Sequence, residues 1–243
     1  MPRFFVSQTA TDDKFIITDE KQIHYFKNVL RLRVNEEVTV FNNSDSEYIC
    51  NILLIDKEQI CLQIKEKKPA HFNTFNLTIA CAIPKKDDMD DIIDKLTQLE
   101  VNSIIPMETE RTIVRLDESK KTTRLNRWRK IAQSASEQSQ RNNIPVIPEI
   151  TNVRKIIMDS ENFDLKLIPT LINERKHIRE VISSFKHGNI LILIGPEGDF
   201  TPAEVDLAKK AGFIPVTLGN SVLRVSTAAI ALASYIKFTL DES

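Results

Sequence analysis

Glycine is nearly absent: the chain has 243 residues but only five glycines, and none falls in the first 187 positions. No G-x-G-x-x-G follows the first strand of the second half, and no G-x-x-x-x-G-K-[ST], H-E-x-x-H or G-x-S-x-G occurs anywhere. Nucleoside triphosphate, dinucleotide, zinc-protease and serine-hydrolase chemistry therefore lose the motifs they rest on. Cysteine is scarce too. Cys50, Cys61 and Cys81 lie in apolar, strand-like surroundings without metal-ligand spacing, which reads as buried thiols in a reducing compartment. His24 and His71 have no partners at metal spacing, so no metal site is expected. No apolar run approaches the roughly 18 to 20 residues a bilayer span needs, and the start Met1-Pro2-Arg3-Phe4-Phe5 lacks the layout of a signal peptide. The expected location is the cytoplasm, with no membrane partner.

The chain also lacks net charge, at −1, which argues against a uniformly basic coat. The charge is unevenly spread, however. Between Arg111 and Arg141 nine Lys or Arg face three acids, Asp117, Glu118 and Glu137, a local excess able to hold phosphate.

Two kinds of pattern follow one another along the chain. Short strands are expected at Arg3–Val6, Lys14–Ile17, Glu37–Phe41, Tyr48–Ile55 and Ile60–Ile64. One helix interrupts them, with Ile23, Phe26, Val29 and Leu30 at helical spacing. That pattern suggests a small β-barrel. The charged run Glu66-Lys67-Lys68-Pro69-Ala70 breaks it and marks the expected boundary, dividing the chain into domains 1–70 and 71–243. Beyond it strands alternate with helices: strand Asn76–Ile83, helix Asp87–Glu100, strand Val101–Pro106, helix Ser119–Arg141, strand Leu165–Pro169, helix Glu174–Phe185, strand Ile190–Ile194, helix Pro202–Ala211, strand Ile214–Leu218 and helix Thr227–Leu240. Such alternation means an α/β domain with a parallel sheet covered by helices, whose ligands bind at the strand ends.

Gly188 and Gly212 are explained by a turn and a helix end. The other three glycines follow apolar strands, in Ile194-Gly195-Pro196-Glu197-Gly198-Asp199-Phe200 and Leu218-Gly219-Asn220-Ser221-Val222-Leu223-Arg224. Without a Cβ, backbone amides there can approach a ligand. Thr201, Pro202 and Glu204 form the start of the helix after the first loop, as N-cap, first position and capping-box acid. Spacing alone leaves open whether the two loops are ordinary strand-to-helix turns or a small-molecule cradle.

The two glycine loops, with Ser136-Glu137-Gln138-Ser139-Gln140-Arg141 and His24-Tyr25-Phe26-Lys27-Asn28-Val29-Leu30-Arg31, resemble the 16S rRNA (uracil N3)-methyltransferase family in order and spacing, over nearly the whole chain. The resemblance implies an N-terminal PUA-like β-barrel and a C-terminal SPOUT-type α/β domain tied in a trefoil knot. It also implies a homodimer that methylates 16S rRNA of the small ribosomal subunit with S-adenosyl-L-methionine. Ile194, Gly195, Pro196, Glu197 and Gly198, with Leu218, Gly219, Asn220 and Leu223, would hold the cofactor. Arg224 would stabilise the uracil anion; the alternative is an exposed arginine at a helix start. Glu197 would be the base, or would only accept backbone hydrogen bonds in its tight turn. Arg3, Arg31, Arg33, Arg111, Arg115 and Arg141 would meet RNA phosphates, since the guanidinium fork matches phosphate geometry.

The chain departs from the family pattern at five places. Asp88 stands where arginine is usual, Gln98 and Glu100 replace the outer residues of Glu-Leu-Gly, Asp199 replaces a second glycine after Gly198, and Ser226 replaces the glutamate before Thr227. A non-catalytic RNA- or ribosome-binding protein that keeps the fold is therefore the competing reading, and a different nucleotide-using α/β enzyme the third.

Overall fold

The computed structural model describes residues 1–70, 73–85, 88–114, 116–172 and 174–241, and these group into two compact units. The first comprises residues 1–72 together with 136–144. Strands β1 (Arg3–Phe5), β2 (Lys14–Ile17), β3 (Glu37–Phe41), β4 (Ser46–Ile55) and β5 (Ile60–Pro69) form a five-stranded sheet in the order β1-β3-β4-β5-β2, with β1 and β3 parallel and the other pairs antiparallel. Alternate side chains such as Phe15, Ile17, Val38, Val40, Ile52 and Leu62 fill one buried core. The expected interruption at 66–70 is instead the end of β5, where Pro69 sits opposite Ser46. Proline has no N–H to give to the ladder and is accommodated at this strand end, after which Ala70 N still donates to Asp45 O at 2.9 Å.

The helix in this unit is also not regular. Asp19 caps α1 (Glu20–His24) by accepting from Gln22 N at 2.8 Å, after which Tyr25–Val29 widens into a π-helical turn. Leu30 N reaches back five residues to Tyr25 O, which rotates Val29 out of the apolar stripe and leaves it exposed. Ile23 and Phe26 stay buried as expected. Residues 136–144 join this unit through local hydrogen bonds. Phe5 N donates to Glu137 Oε1 at 3.2 Å and Ile144 N to Asn43 Oδ1 at 2.9 Å, and Arg3 bonds Asn142.

The second unit is built on a seven-stranded parallel sheet. Its strands are β6 (Phe75–Ala82), β7 (Ser103–Glu108), β8 (Thr151–Asn152), β9 (Leu165–Pro169), β10 (Lys176–His177), β11 (Gly188–Ile194) and β12 (Ile214–Thr217), in the order β10-β12-β9-β11-β6-β7-β8. The central strands β6 and β11 are apolar along almost their whole length because helices cover both faces. The helices are α2 (Asp88–Gln98), α3 (Glu118–Gln138, whose last turn belongs to the first unit), α4 (Val153–Met158), α5 (Ile178–Ile182), α6 (Pro202–Lys210) and α7 (Val225–Leu240). Helix α7 follows strand β12 but packs against α2, β6 and β11, on the far side of β9 in the strand order.

The helix expected over 174–185 shrinks to α5. Glu174 holds a left-handed φ of 66°, Lys176–His177 pairs with β12 as a strand, and only then does His177 cap the helix by accepting from Arg179 N at 3.2 Å. Strand β8 and helix α4 were not anticipated. Among the described residues no helix is long and apolar enough to cross a membrane.

Candidate functional site

Strands β12, β9 and β11 are neighbours in the parallel sheet, so their C-terminal ends, Thr217, Pro169 and Ile194, open side by side. From β9 the chain passes to the edge strand β10 on one side, crosses to β11 on the other side of β9 and then returns to β12, between β9 and β10, the kind of crossover where open α/β sheets leave a crevice. A cleft of about 630 Å³, open to solvent, lies there. Both glycine loops line it, through Ile194, Gly195, Pro196 and Glu197 of the first and Leu218, Gly219 and Leu223 of the second. Gly198 and Asn220, also expected at the cofactor, are not among its lining residues.

The glycines serve different ends. A Cβ on Gly195 would come within 2.9 Å of the buried Phe200 ring, so this position is small because the loop folds back over its own aromatic residue. Gly219 has φ 124°, a conformation side-chain-bearing residues rarely adopt, while the space beside it is open. Thr217 Oγ1 accepts from Gly219 N at 3.2 Å and donates to Gly219 O at 2.9 Å, which closes that turn.

The first loop is tied down from the strand β7 side. Arg111 Nη1 donates to Gly198 O at 2.6 Å and, at 3.5 Å, to Phe200 O. Glu204, only 2 % exposed, closes the expected capping box and accepts from Glu110 N at 2.9 Å. Arg111 therefore holds the loop's backbone carbonyls, and its guanidinium is not simply displayed to phosphate.

A second recess, lined largely by charged side chains, adjoins the cleft and shares Glu197 and Val225 with it. Lys85, Asp88, Arg224 and Ser226 also line it, so the two candidate catalytic residues meet there. Two of the five departures, Asp88 and Ser226, lie on its wall. Arg224 is exposed at the N-cap position of α7 and makes no side-chain cap bond. Glu197 accepts a long hydrogen bond, 3.4 Å, from Lys85 N. Beneath it, burial pushes the Cys81 thiol up to about 12, with the Glu197 charge adding to the shift, so this thiol is held protonated.

Residues 71–237 match the family described as an RNA methyltransferase domain, and residues 17–65 match an RNA methyltransferase PUA domain. Ribosomal RNA small subunit methyltransferase E of Rickettsia conorii is 31 % identical, covering 95 % of this chain and 92 % of the relative. The chain belongs to the ribosomal RNA small subunit methyltransferase E family. The family member of that name from Bacillus subtilis is 29 % identical over 99 % of this chain and 98 % of its own. A methyltransferase E crystal structure from Neisseria gonorrhoeae, bound to S-adenosyl methionine, superposes with a TM-score of 0.86 at 30 % identity and covers 98 % of both chains. The curled first sheet and the parallel second sheet are the PUA-like and α/β parts of the methyltransferase E architecture.

The arginines expected at RNA differ in setting. Arg31 and Arg33 are exposed, Arg31 with a left-handed φ of 54°. Arg3 is engaged inside the first unit, 2.6 Å from Glu47 and 4.9 Å above the Phe41 ring. Arg141 is 7 % exposed and so does not offer its guanidinium to solvent as a phosphate contact requires. Arg115 lies outside the described residues. A third wall of the cleft was not among the expected site residues: Pro169 at the end of β9, Thr170 and Leu171 after it, with Arg175. Their position at the end of a parallel strand was the available signal.

Proposed function

We propose that this protein transfers a methyl group from S-adenosylmethionine to the ribosomal RNA of the small subunit, at N3 of a uridine in 16S rRNA. The observation that supports this most is the cleft at the ends of β9, β11 and β12 beside a recess carrying Arg224 and Glu197, in a chain of the methyltransferase E family. The cleft suits the cofactor. Leu218, Val222 and Leu223 give apolar surface for an adenine ring, and the backbones of Gly195 and Gly219 lie at its wall.

S-adenosylmethionine supplies an electrophilic methyl group on a sulfonium. The work of the chain is then to align the target nitrogen with that group and to ease loss of the imide proton. The Arg224 guanidinium stabilises the uracil oxygen as the ring becomes anionic. Glu197, on the wall shared by cleft and recess, takes the proton directly or through water. RNA phosphates meet Arg31 and Arg33, the two exposed arginines of the first unit. Replacing both with alanine weakens RNA binding and flattens its salt dependence.

The finer features implied by the family belong to the same proposal. Helix α7, packing on α2 after leaving the far strand β12, is compatible with the trefoil knot. Its outer face carries Ala231, Tyr235 and Phe238, the last 59 % exposed, which suits a second copy in a homodimer. The place of action is the cytoplasm, where the ribosomal substrate is.

Calorimetric titration with S-adenosylmethionine and S-adenosylhomocysteine, with ATP and NAD as controls, tests the cofactor assignment. Saturable binding of the first two alone is expected; binding of ATP or NAD instead, or of none at millimolar ligand, contradicts it.

A further inference from the structure

The third wall of the cleft carries charges that have no ion-pair partner among the described residues. Arg175 is the one cationic side chain among the described residues lining the cleft, and Asp199 lines it as well. The neighbour of Arg175 in sequence, Glu174, turns away to Lys209 at 3.7 Å. Arg175 is held in place by donating from Nη1 to Thr170 O at 2.9 Å. Thr170 holds Asp199 too: its Oγ1 donates to Asp199 Oδ2 at 2.9 Å, and Leu171 N donates to the same oxygen at 2.8 Å. Both bonds fall on Oδ2, so the carboxylate is oriented while Oδ1 has no protein donor among the described residues. A guanidinium and a carboxylate thus flank one residue, Thr170, on one wall of a cleft whose other lining, at Val216, Leu218, Val222 and Leu223, is apolar.

Asp199 keeps this place at a backbone cost. Its φ is 59°, a left-handed value at which an ordinary side chain is strained, and its position is the one where the family pattern has glycine. Strain of this kind persists where surrounding bonds fix it, as Thr170 and Leu171 do here.

We infer that Arg175 and Asp199 receive the zwitterionic amino-acid end of S-adenosylmethionine, Arg175 pairing with its carboxylate and Asp199 with its ammonium. Such an end enters a partly apolar cleft only if both charges are met, and the guanidinium fork suits a carboxylate. The assignment rests on the cleft being the cofactor site, and it makes these two side chains determinants of cofactor specificity.

Calorimetry with three ligands tests it. S-adenosylhomocysteine carries the whole amino-acid end, decarboxylated S-adenosylmethionine lacks the carboxylate, and 5′-methylthioadenosine lacks the entire end. Arg175→Gln is expected to weaken S-adenosylhomocysteine on the order of tenfold or more and to leave the other two unchanged. Asp199→Asn keeps an acceptor for Thr170 and tolerates the left-handed backbone; it is expected to weaken the two ammonium-bearing ligands and spare methylthioadenosine. The unchanged affinity for methylthioadenosine also shows that each variant keeps its fold. If either variant loses affinity for methylthioadenosine as much as for S-adenosylhomocysteine, or loses none for either, these residues only support the wall and the inference falls. If the wild type binds none of the three, the cofactor assignment itself fails.

Discussion

Asp199 and Glu100 both replace residues that are glycine in the family pattern, and the structure shows why glycine suits those places. Their φ angles are 59° and 62°. Each compensates with its side chain, Asp199 through Thr170 and Leu171, Glu100 through an ion pair with Lys237 of α7. Asp88 and Ser226 have a different consequence, because they alter the charge of the recess around Arg224. Arg224 bears no cap bond and lines that recess, so Arg224→Ala is expected to lower methyl transfer about 100-fold while leaving the dissociation constant for S-adenosylhomocysteine unchanged. Unchanged turnover in a single-turnover assay returns it to an ordinary exposed arginine. A second residue-scale outcome concerns alkali. Burial raises the thiols of Cys50 and Cys81 from 9.0 to about 12, so over that interval the unfolded chain has released protons that the folded chain retains. Stability is full below the unfolded value and falls as pH rises through the window. Urea unfolding is expected to show a midpoint lower at about pH 10 than at about pH 8, with a smaller drop in Cys81→Ala; equal drops in both proteins contradict the assignment to that thiol.

The elements best seen in the sequence were those whose apolar run ends abruptly. Strands β11 and β12 stop at Gly195 and just before Gly219, and both glycine loops do line the cleft. The wall after β9 was not legible because Pro169-Thr170-Leu171 has the composition of any loop, and only the strand order makes it a neighbour of the other two. The π-helical turn at Tyr25–Val29 was hidden for a related reason, since one extra residue in a turn changes the facing of Val29 without changing composition. Arg111 belongs to the same class. Its sequence neighbours suggested a phosphate contact, whereas its bonds to Gly198 O and Phe200 O make it a brace for the first loop. Arg111→Ala is therefore expected to weaken cofactor binding by about tenfold and to leave the salt slope of RNA binding as in the wild type. A flattened slope with unchanged cofactor affinity restores the phosphate role.

At the scale of the whole molecule, two compact units follow the change from short strands to strand–helix alternation, but their chain path is less simple than one cut near residue 70. Residues 136–144 group with the first unit through hydrogen bonds to Phe5, Arg3 and Asn43, contacts more than a hundred residues apart and invisible to local periodicity. Assembly is the other property that local pattern does not reveal. The outer face of α7 is expected to bury itself against a second copy, so sedimentation equilibrium should return twice the chain mass of 27.8 kDa. A monomer across the accessible concentration range contradicts the homodimer.

Methyl transfer to the small ribosomal subunit, read by mass spectrometry of the nucleosides released from its 16S rRNA, tests the central claim most directly. Incubation of the purified protein, S-adenosylmethionine and subunits lacking the modification is expected to produce N3-methyluridine at a single position. Methylation of another base, or no transfer by a protein that binds the cofactor and the subunit, would contradict it.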